Sequence, residues 1–291
     1  VPRTVGTREN PRQEHHVIGA VRLGIGPTAL RFLASEDMNA AQSSLACLSP
    51  INGHTRLFFV VGHPVLQVKA PAAFSGPLQG ARTNAVVVPL DLPPETVEET
   101  CRFLLQSPSV AGILVTVPYK KVLFGLADEC GDAARVVGAV NALRRSCDGR
   151  IVGDLFDGAG FLSGLLAAGH RPDGRHVLVL GAGGAGSAVA AALAGAGVGA
   201  LAIYDPRAAQ AEELAKQLSM NFAGVSAHPV TSPTVACDMV INATPLGMRE
   251  GDPLPIDPTT LAPGTLVVDV IMEPADTPLL RGARGRGQAN R

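Results

Sequence analysis

From Leu57 onward the apolar positions fall in short unbroken runs, separated by stretches with helical spacing. "LFFVVG" (57–62), "NAVVVPLDL" (84–92) and "VAGILVTVP" (110–118) predict three buried strands. Between the last two, "PPETVEETCRFLLQS" (93–107) predicts a helix, with prolines and acids in its first turn, where free N–H groups and the positive helix end suit them. Residues 120–140 read as largely helical with a break near Gly131, and residues 141–154 as a hairpin turning at Asp148-Gly149. The second half changes rhythm. "HVLVLGAGGAG" (176–186) is strand then turn, "SAVAAALAGAG" (187–197) helix, "GALAIYD" (199–205) strand and "AAQAEELAKQLS" (208–219) amphipathic helix. "CDMVINAT" (237–244) and "GTLVVDVI" (264–271) add two buried strands. Strands alternating with helices at this spacing predict an α/β protein whose second half is a doubly wound parallel sheet.

The pattern divides the chain. Residues 1–53 mix charge, Pro and Gly around one short apolar patch and are expected to form a weakly ordered extension. Residues 54–157 form a first α/β domain and 158–280 the doubly wound one, with the boundary in the stretch from Asp157 to Asp173. The Arg- and Gly-rich residues 281–291 read as a disordered tail, too short to make a case for RNA binding. There are no internal repeats. The run from Val177 to Tyr204 lacks charge and is long enough for a spanning helix, but its Val and Leu cluster at the ends around an Ala/Gly middle, as strand, turn and helix require. No membrane segment is expected, and the opening residues lack the sustained apolar core of a signal peptide.

Composition narrows the chemistry. A chain of 291 residues that is 46% hydrophobic and 17% charged is globular, and without Trp its core must come from Ala, Val and Leu. A net charge of -1 gives no footprint for nucleic acid. The five cysteines, at 47, 101, 130, 147 and 237, form no C-x-x-C pair, so neither a disulfide framework nor a zinc site is suggested and a reducing cytoplasm fits. The seven histidines are scattered without H-E-x-x-H, and His15 and His16 read as solvated, so no metal is expected. The remaining partner is a small molecule bound by a monomer or homodimer.

"GAGGAG" supplies G-x-G-x-x-G with Gly181, Gly183 and Gly186 in the three places, between a strand and a helix. That context suits a pyrophosphate held by Gly181, Ala182, Gly183, Gly184, Ala185 and Gly186 at the helix N-terminus of a Rossmann domain. Asp205 ends the next strand, where a carboxylate can accept from both ribose hydroxyls of NAD and repel a 2′-phosphate. Arg207 is the nearby cation, and a bland alternative has Asp205 merely capping the next helix. NAD is expected ahead of NADP.

"VTVPYKK", "GAVNALR", "GDLFDGAG", "VLGAGGAG", "INATPLGM" and "DVIMEPADTPLL" occur in the order found in the shikimate/quinate dehydrogenases, and from Leu57 to Leu280 the chain resembles that family. The resemblance implies a substrate domain, a Rossmann domain and a cleft between them, with reversible hydride transfer between a nicotinamide and a cyclic hydroxy acid such as shikimate or quinate. It places Lys120 as the catalytic lysine and Asp157 as its paired aspartate, which should keep the lysine charged and acting as a cationic donor. Lys121 is expected in solvent. Asn242, Ala243 and Thr244 fall on the cofactor side.

The chain departs from the family where substrate is held. Val68 and Ala70 stand in the places of two carboxylate-binding serines, Leu114 replaces an asparagine, Leu155 and Phe156 replace Asn-Thr, and Met272 replaces a tyrosine. Thr116 and Asn141 remain as polar candidates, and Gln67 and Tyr119 are expected to lend further polar groups. The family's helices beyond "TPLL" are not found before Arg291. These departures keep two alternatives open: an inactive dinucleotide-binding paralogue or truncated fragment, and a different enzyme of related architecture such as a methylene-tetrahydrofolate dehydrogenase, against which "NATPLGM" and "DGAG" argue.

Overall fold

The computed structural model describes residues 17–18, 51–66, 68–81 and 83–284. Strand β1 (Val17–Ile18) lies within the expected extension and pairs in parallel with a strand near the other end of the chain, at the edge of the second sheet.

The first sheet is built from β2 (Arg56–Gly62), β3 (Ala85–Asp91), β4 (Val110–Val115), β5 (Glu129–Cys130), β6 (Ala142–Arg145) and β7 (Ile151–Asp154), in the order β3-β2-β4-β6-β7-β5. β3, β2 and β4 run parallel, whereas β6 is antiparallel to both β4 and β7. Every residue of β4 is buried, which accounts for its unbroken apolar run. β3 is an edge strand with half-exposed residues, a setting that tolerates Pro89 because only one neighbour asks for ladder hydrogen bonds. Helices α1 (Ala70–Gly80), α2 (Val97–Gln106) and α3 (Asp132–Val137) connect or flank these strands.

Helix α4 (Asp157–Ala167) leads into the second sheet. β8 (His176–Leu180), α5 (Gly184–Gly195), β9 (Ala200–Tyr204), α6 (Ala208–Asn221), β10 (Ser226–Pro229), β11 (Met239–Asn242), β12 (Leu266–Asp269) and α7 (Pro278–Arg284) follow. The order β1-β12-β11-β8-β9-β10 is parallel throughout. The chain winds outward from β8 through β9 to β10, then returns to lay β11 on the other side of β8. The switch point therefore lies between β8 and β11, where an open α/β sheet binds its ligands at the carboxyl ends of the strands.

Two expectations need correction. The stretch 120–140 is not largely helical: Val122–Leu126 is a 3₁₀ turn that buries Leu123 and Leu126, β5 follows, and α3 has only six residues. The Asp128 N–H and carboxylate are both engaged with Ile151, which holds the chain extended there. The stretch expected to hold the domain boundary, from Asp157 to Asp173, begins with α4, whose Gly158, Gly160 and Gly164 hid its helical pattern. A Cβ on Gly158 would overlap the Ala188 carbonyl oxygen, so glycine is what allows α4 and α5 to cross at backbone contact. The core cluster consequently runs from Val61 and Ile113 through Phe161 to Val189 and Ile241, joining both domains. In the expected tail, residues 281–284 belong to α7, which buries Leu279, Leu280 and Ala283. α1 escaped the pattern reading because Pro71 and Pro77 interrupt it, yet Phe74 and Leu78 anchor it to the first sheet.

Candidate active site

The dinucleotide turn is shaped by contacts a side chain would prevent. Gly181 adopts φ +98, and a Cβ there would stand 3.0 Å from the Ala243 carbonyl oxygen. A Cβ on Gly186 would overlap the Gly181 carbonyl oxygen, so α5 packs directly on the turn. Around Gly183, by contrast, there is nothing within 4 Å. The N–H groups in the first turn of α5 have no intrahelical partner, so a glycine cradle open at Gly183 fits an approaching pyrophosphate.

Asp205 shapes the same turn. Its Oδ2 accepts from the Ala182 N–H at 2.9 Å, and its Oδ1 accepts from the Arg207 N–H at 2.9 Å and from Arg207 Nε at 3.1 Å. Burial works to raise the Asp205 carboxyl, but the Arg207 side chain, the Ala182 N–H and the Arg207 N–H outweigh it and hold the group below its ordinary value. Arg207 itself is exposed.

The catalytic candidates meet from separate elements. Lys120 follows β4 and lies beyond the Val117-Pro118 pair, and Asp157 is the first residue of α4, at the helix end that favours a carboxylate. Lys120 Nζ donates to Asp157 Oδ2 at 2.5 Å, with only 15% and 11% of the two side chains exposed. The lysine stem also reaches the second domain: a Cβ on Gly184 would lie 3.5 Å from Lys120 Cδ. The loop after β4 thus brings an ammonium to the first turn of the dinucleotide helix. Lys121 is exposed, as expected.

The substrate-side candidates divide. Asn141 is buried; its Oδ1 accepts from the Phe156 N–H at 2.9 Å, while its Nδ2 has no partner. Thr116 follows β4 beside Gly62, whose missing Cβ makes room for the threonine methyl. Tyr119 is a correction: it is buried in the core and its hydroxyl donates to the Leu92 carbonyl oxygen at 2.5 Å, so it lends nothing to a ligand. Val68 and Ala70 are half-buried against an apolar cluster that also contains Leu114 and Phe156. Four departures from the family's polar pattern have therefore gathered into one apolar wall. Met272 is exposed in the loop after β12, and Gln67 lies outside the described residues.

Asn242 is a second correction. Its amide is consumed internally: Nδ2 donates to the Leu246 carbonyl and to both oxygens of Asp269 at 3.2 Å, and Oδ1 accepts from the Thr244 N–H and hydroxyl. It shapes the 243–248 loop, with Ala243 and Thr244 closing over Gly181. Sequence reasoning missed its partner. Asp269 is fully buried and also accepts from the Ile271 N–H and the Thr277 hydroxyl, tying the ends of β11 and β12 to the start of α7. Its position directly opposite Asn242 in register, at the ends of two neighbouring strands, was the available signal. Burial raises the Asp269 carboxyl above its ordinary 3.8 against the pull of these donors. The folded chain holds that proton more tightly than the unfolded chain, so stability falls as pH rises through the interval above 3.8. Asp269→Asn should abolish that pH dependence. It should also cost roughly 1–3 kcal/mol, because an amide N–H₂ would face donors, as thermal unfolding between pH 3 and 7 would register.

Other chemistries find no footing. Burial pushes the Cys101 thiol up to about 12 and Cys237 up to about 11, so neither is a ready thiolate. Among the described residues no group of His, Cys, Asp and Glu could hold a metal, and no helix is long and apolar enough to cross a membrane. A cavity of about 670 Å³ opens on the flank of α4 around Gly158, Ala159, Ala188 and Phe222, and none of the candidate residues lines it.

A Rossmann-type sheet carrying a glycine cradle, joined to an α/β domain that extends a lysine–aspartate pair to that cradle, defines a two-domain NAD(P)-dependent oxidoreductase. Residues 60–143 match the model of the shikimate dehydrogenase substrate binding domain, and residues 173–232 match that of the ThiF family. A shikimate dehydrogenase (NADP(+)) of Rubrobacter xylanophilus is 40% identical over 243 residues, 82% of this chain and 85% of the relative. The chain belongs to the shikimate dehydrogenase family, whose members act on CH–OH groups. The crystal structure of shikimate 5-dehydrogenase from Listeria monocytogenes in complex with shikimate and NAD superposes with TM-score 0.73 at 26% identity, covering 82% of this chain and 86% of that one. Quinate dehydrogenase from Corynebacterium glutamicum in complex with NAD gives TM-score 0.70 at 27% identity, covering 80% and 86%. These names bear out a nicotinamide dinucleotide; the expected preference for NAD over NADP finds no support in that of the Rubrobacter relative.

Proposed function

We propose that this chain catalyses reversible hydride transfer between a nicotinamide dinucleotide and the carbinol carbon of shikimate, quinate or a related cyclic hydroxy acid. The observation that carries this reading is the Lys120–Asp157 pair, 2.5 Å apart, set against Gly184 at the first turn of the dinucleotide helix. The nicotinamide, when bound, accepts or supplies the hydride. Lys120 does the remaining work. In the reducing direction the carbonyl oxygen gains negative charge, and the ammonium stabilises it and passes it a proton. In the oxidising direction the hydroxyl proton leaves by the same route. Asp157 accepts from the ammonium and aims it. The free Nδ2 of Asn141 is the buried donor suited to orient the acid.

Reduction of NAD and of NADP by shikimate and quinate tests the reading, with formation of the reduced dinucleotide as the expected result. The apolar gathering of Val68, Ala70, Leu114 and Phe156 favours one alternative, an inactive dinucleotide binder. Dinucleotide binding without turnover on either acid would support it.

NAD as the preferred cofactor rests on Asp205 alone. A carboxylate at the end of β9 repels a 2′-phosphate, and Arg207 is engaged with that carboxylate. Asp205→Asn should therefore shift the ratio of kcat/KM for NAD over NADP toward NADP by about tenfold, on the scale of one charge-assisted contact. An unmodified chain that already favours NADP would overturn the preference.

A further inference from the structure

A hydroxy acid is anionic at neutral pH, and a carboxylate leaving water needs a cation or several donors. The wall containing Val68, Ala70, Leu114 and Phe156 offers neither. Lys120 is committed to Asp157. Lys69 lies between Val68 and Ala70, at the start of α1, and its ammonium crosses to the carboxylate of Glu273, next to Met272 in the loop between β12 and α7. The pair joins the loop after β2 in the first domain to the loop after β12 in the second. It is a second contact between the two domains, in addition to that of Lys120 with Gly184. A carboxylate of the chain itself rests on Lys69. With 55% and 71% of the two side chains exposed, the pair is weakly held and open to exchange.

The geometry points to Lys69 as the residue that recognises the substrate's carboxylate, with Glu273 as the resting partner that the substrate displaces. The inference rests on the hydroxy-acid dehydrogenase reading and makes it more specific. The ligand class is a ring-bearing monocarboxylate held by one ammonium beside an apolar wall, in place of a set of hydroxyl donors. Recognition by one exposed ammonium is also screened by salt.

The test compares kcat/KM for shikimate and for its neutral carboxamide in the unmodified chain and in Lys69→Met, Lys69→Arg and Glu273→Gln. Lys69→Met should lower the preference for acid over amide by about tenfold or more, chiefly through KM for the acid. Lys69→Arg should keep most of the preference, and Glu273→Gln should increase it by removing the competing carboxylate. Both positions are exposed, and an unchanged unfolding temperature would show that the fold is intact. An unmoved preference in Lys69→Met, with shikimate still turned over, overturns this inference and leaves the dehydrogenase reading standing. No turnover of either compound by the unmodified chain overturns that reading, and this inference with it.

Discussion

Lys120→Ala should lower kcat by about 10²–10⁴-fold, the range general acid–base groups contribute, while the protein still folds and binds dinucleotide. The expectation follows from where the side chain ends. Its ammonium is on Asp157, and its stem lies beside Gly184, so truncation removes the charged donor at the seam without entering the glycine cradle. Asp157→Asn makes the complementary test. An amide oxygen can still accept from Lys120, but the negative charge that holds the ammonium is lost. The variant should fall between the unmodified chain and Lys120→Ala. Steady-state kinetics with calorimetric titration of dinucleotide would separate chemistry from binding. A loss of less than about tenfold in Lys120→Ala would remove the lysine from the proton path.

Gly186→Ala should be the most damaging small change to the cofactor site. Its new methyl would overlap the Gly181 carbonyl oxygen, a backbone atom that cannot rotate away. Either α5 lifts or the turn opens. Overpacking of this kind costs about 1–3 kcal/mol or more. For a chain of this size that lowers the unfolding temperature by several degrees, at roughly 2–4 °C per kcal/mol. Dinucleotide affinity should fall with it, because the displaced turn is the binding surface. Gly183→Ala is the control that gives the prediction its edge. Nothing lies within 4 Å of its Cβ position, and its backbone is extended, so the fold should be unaffected. The methyl would instead project into the open side of the cradle and weaken dinucleotide binding alone. If both variants lose stability equally, or Gly183→Ala binds normally, the pyrophosphate does not approach at Gly183.

The two glycines also show where reading a sequence reaches its limit. Both occupy places in G-x-G-x-x-G, but only the packing of α5 on the turn distinguishes one as filled and the other as open. Tyr119 and Asn242 make the same point. Each was expected to be a site residue, yet Tyr119 hydrogen-bonds Leu92 in the core and Asn242 spends its amide on Asp269 and the 243–248 loop. Residue type and spacing carry chemistry but not the direction in which a side chain points.

The sequence by itself determined the strands of both sheets other than β1, β5 and β10, the glycine turn with Asp205 after it, and the family, through motifs whose order is a property of the chain. Those features are local, and apolar runs and glycine spacing are written in consecutive residues. It did not disclose α1 or α4, since prolines in one and glycines in the other erase the helical pattern and only tertiary burial of Phe74, Leu78 and Phe161 sustains them. The tertiary structure alone decided that Asp269 would tie β11, β12 and α7 together, that four scattered apolar replacements would form one wall, and that Lys69 would meet Glu273 across the seam. Each of these joins residues that are not neighbours along the chain: the first two arise as strands and helices pack within one domain, and the third only when the two domains meet.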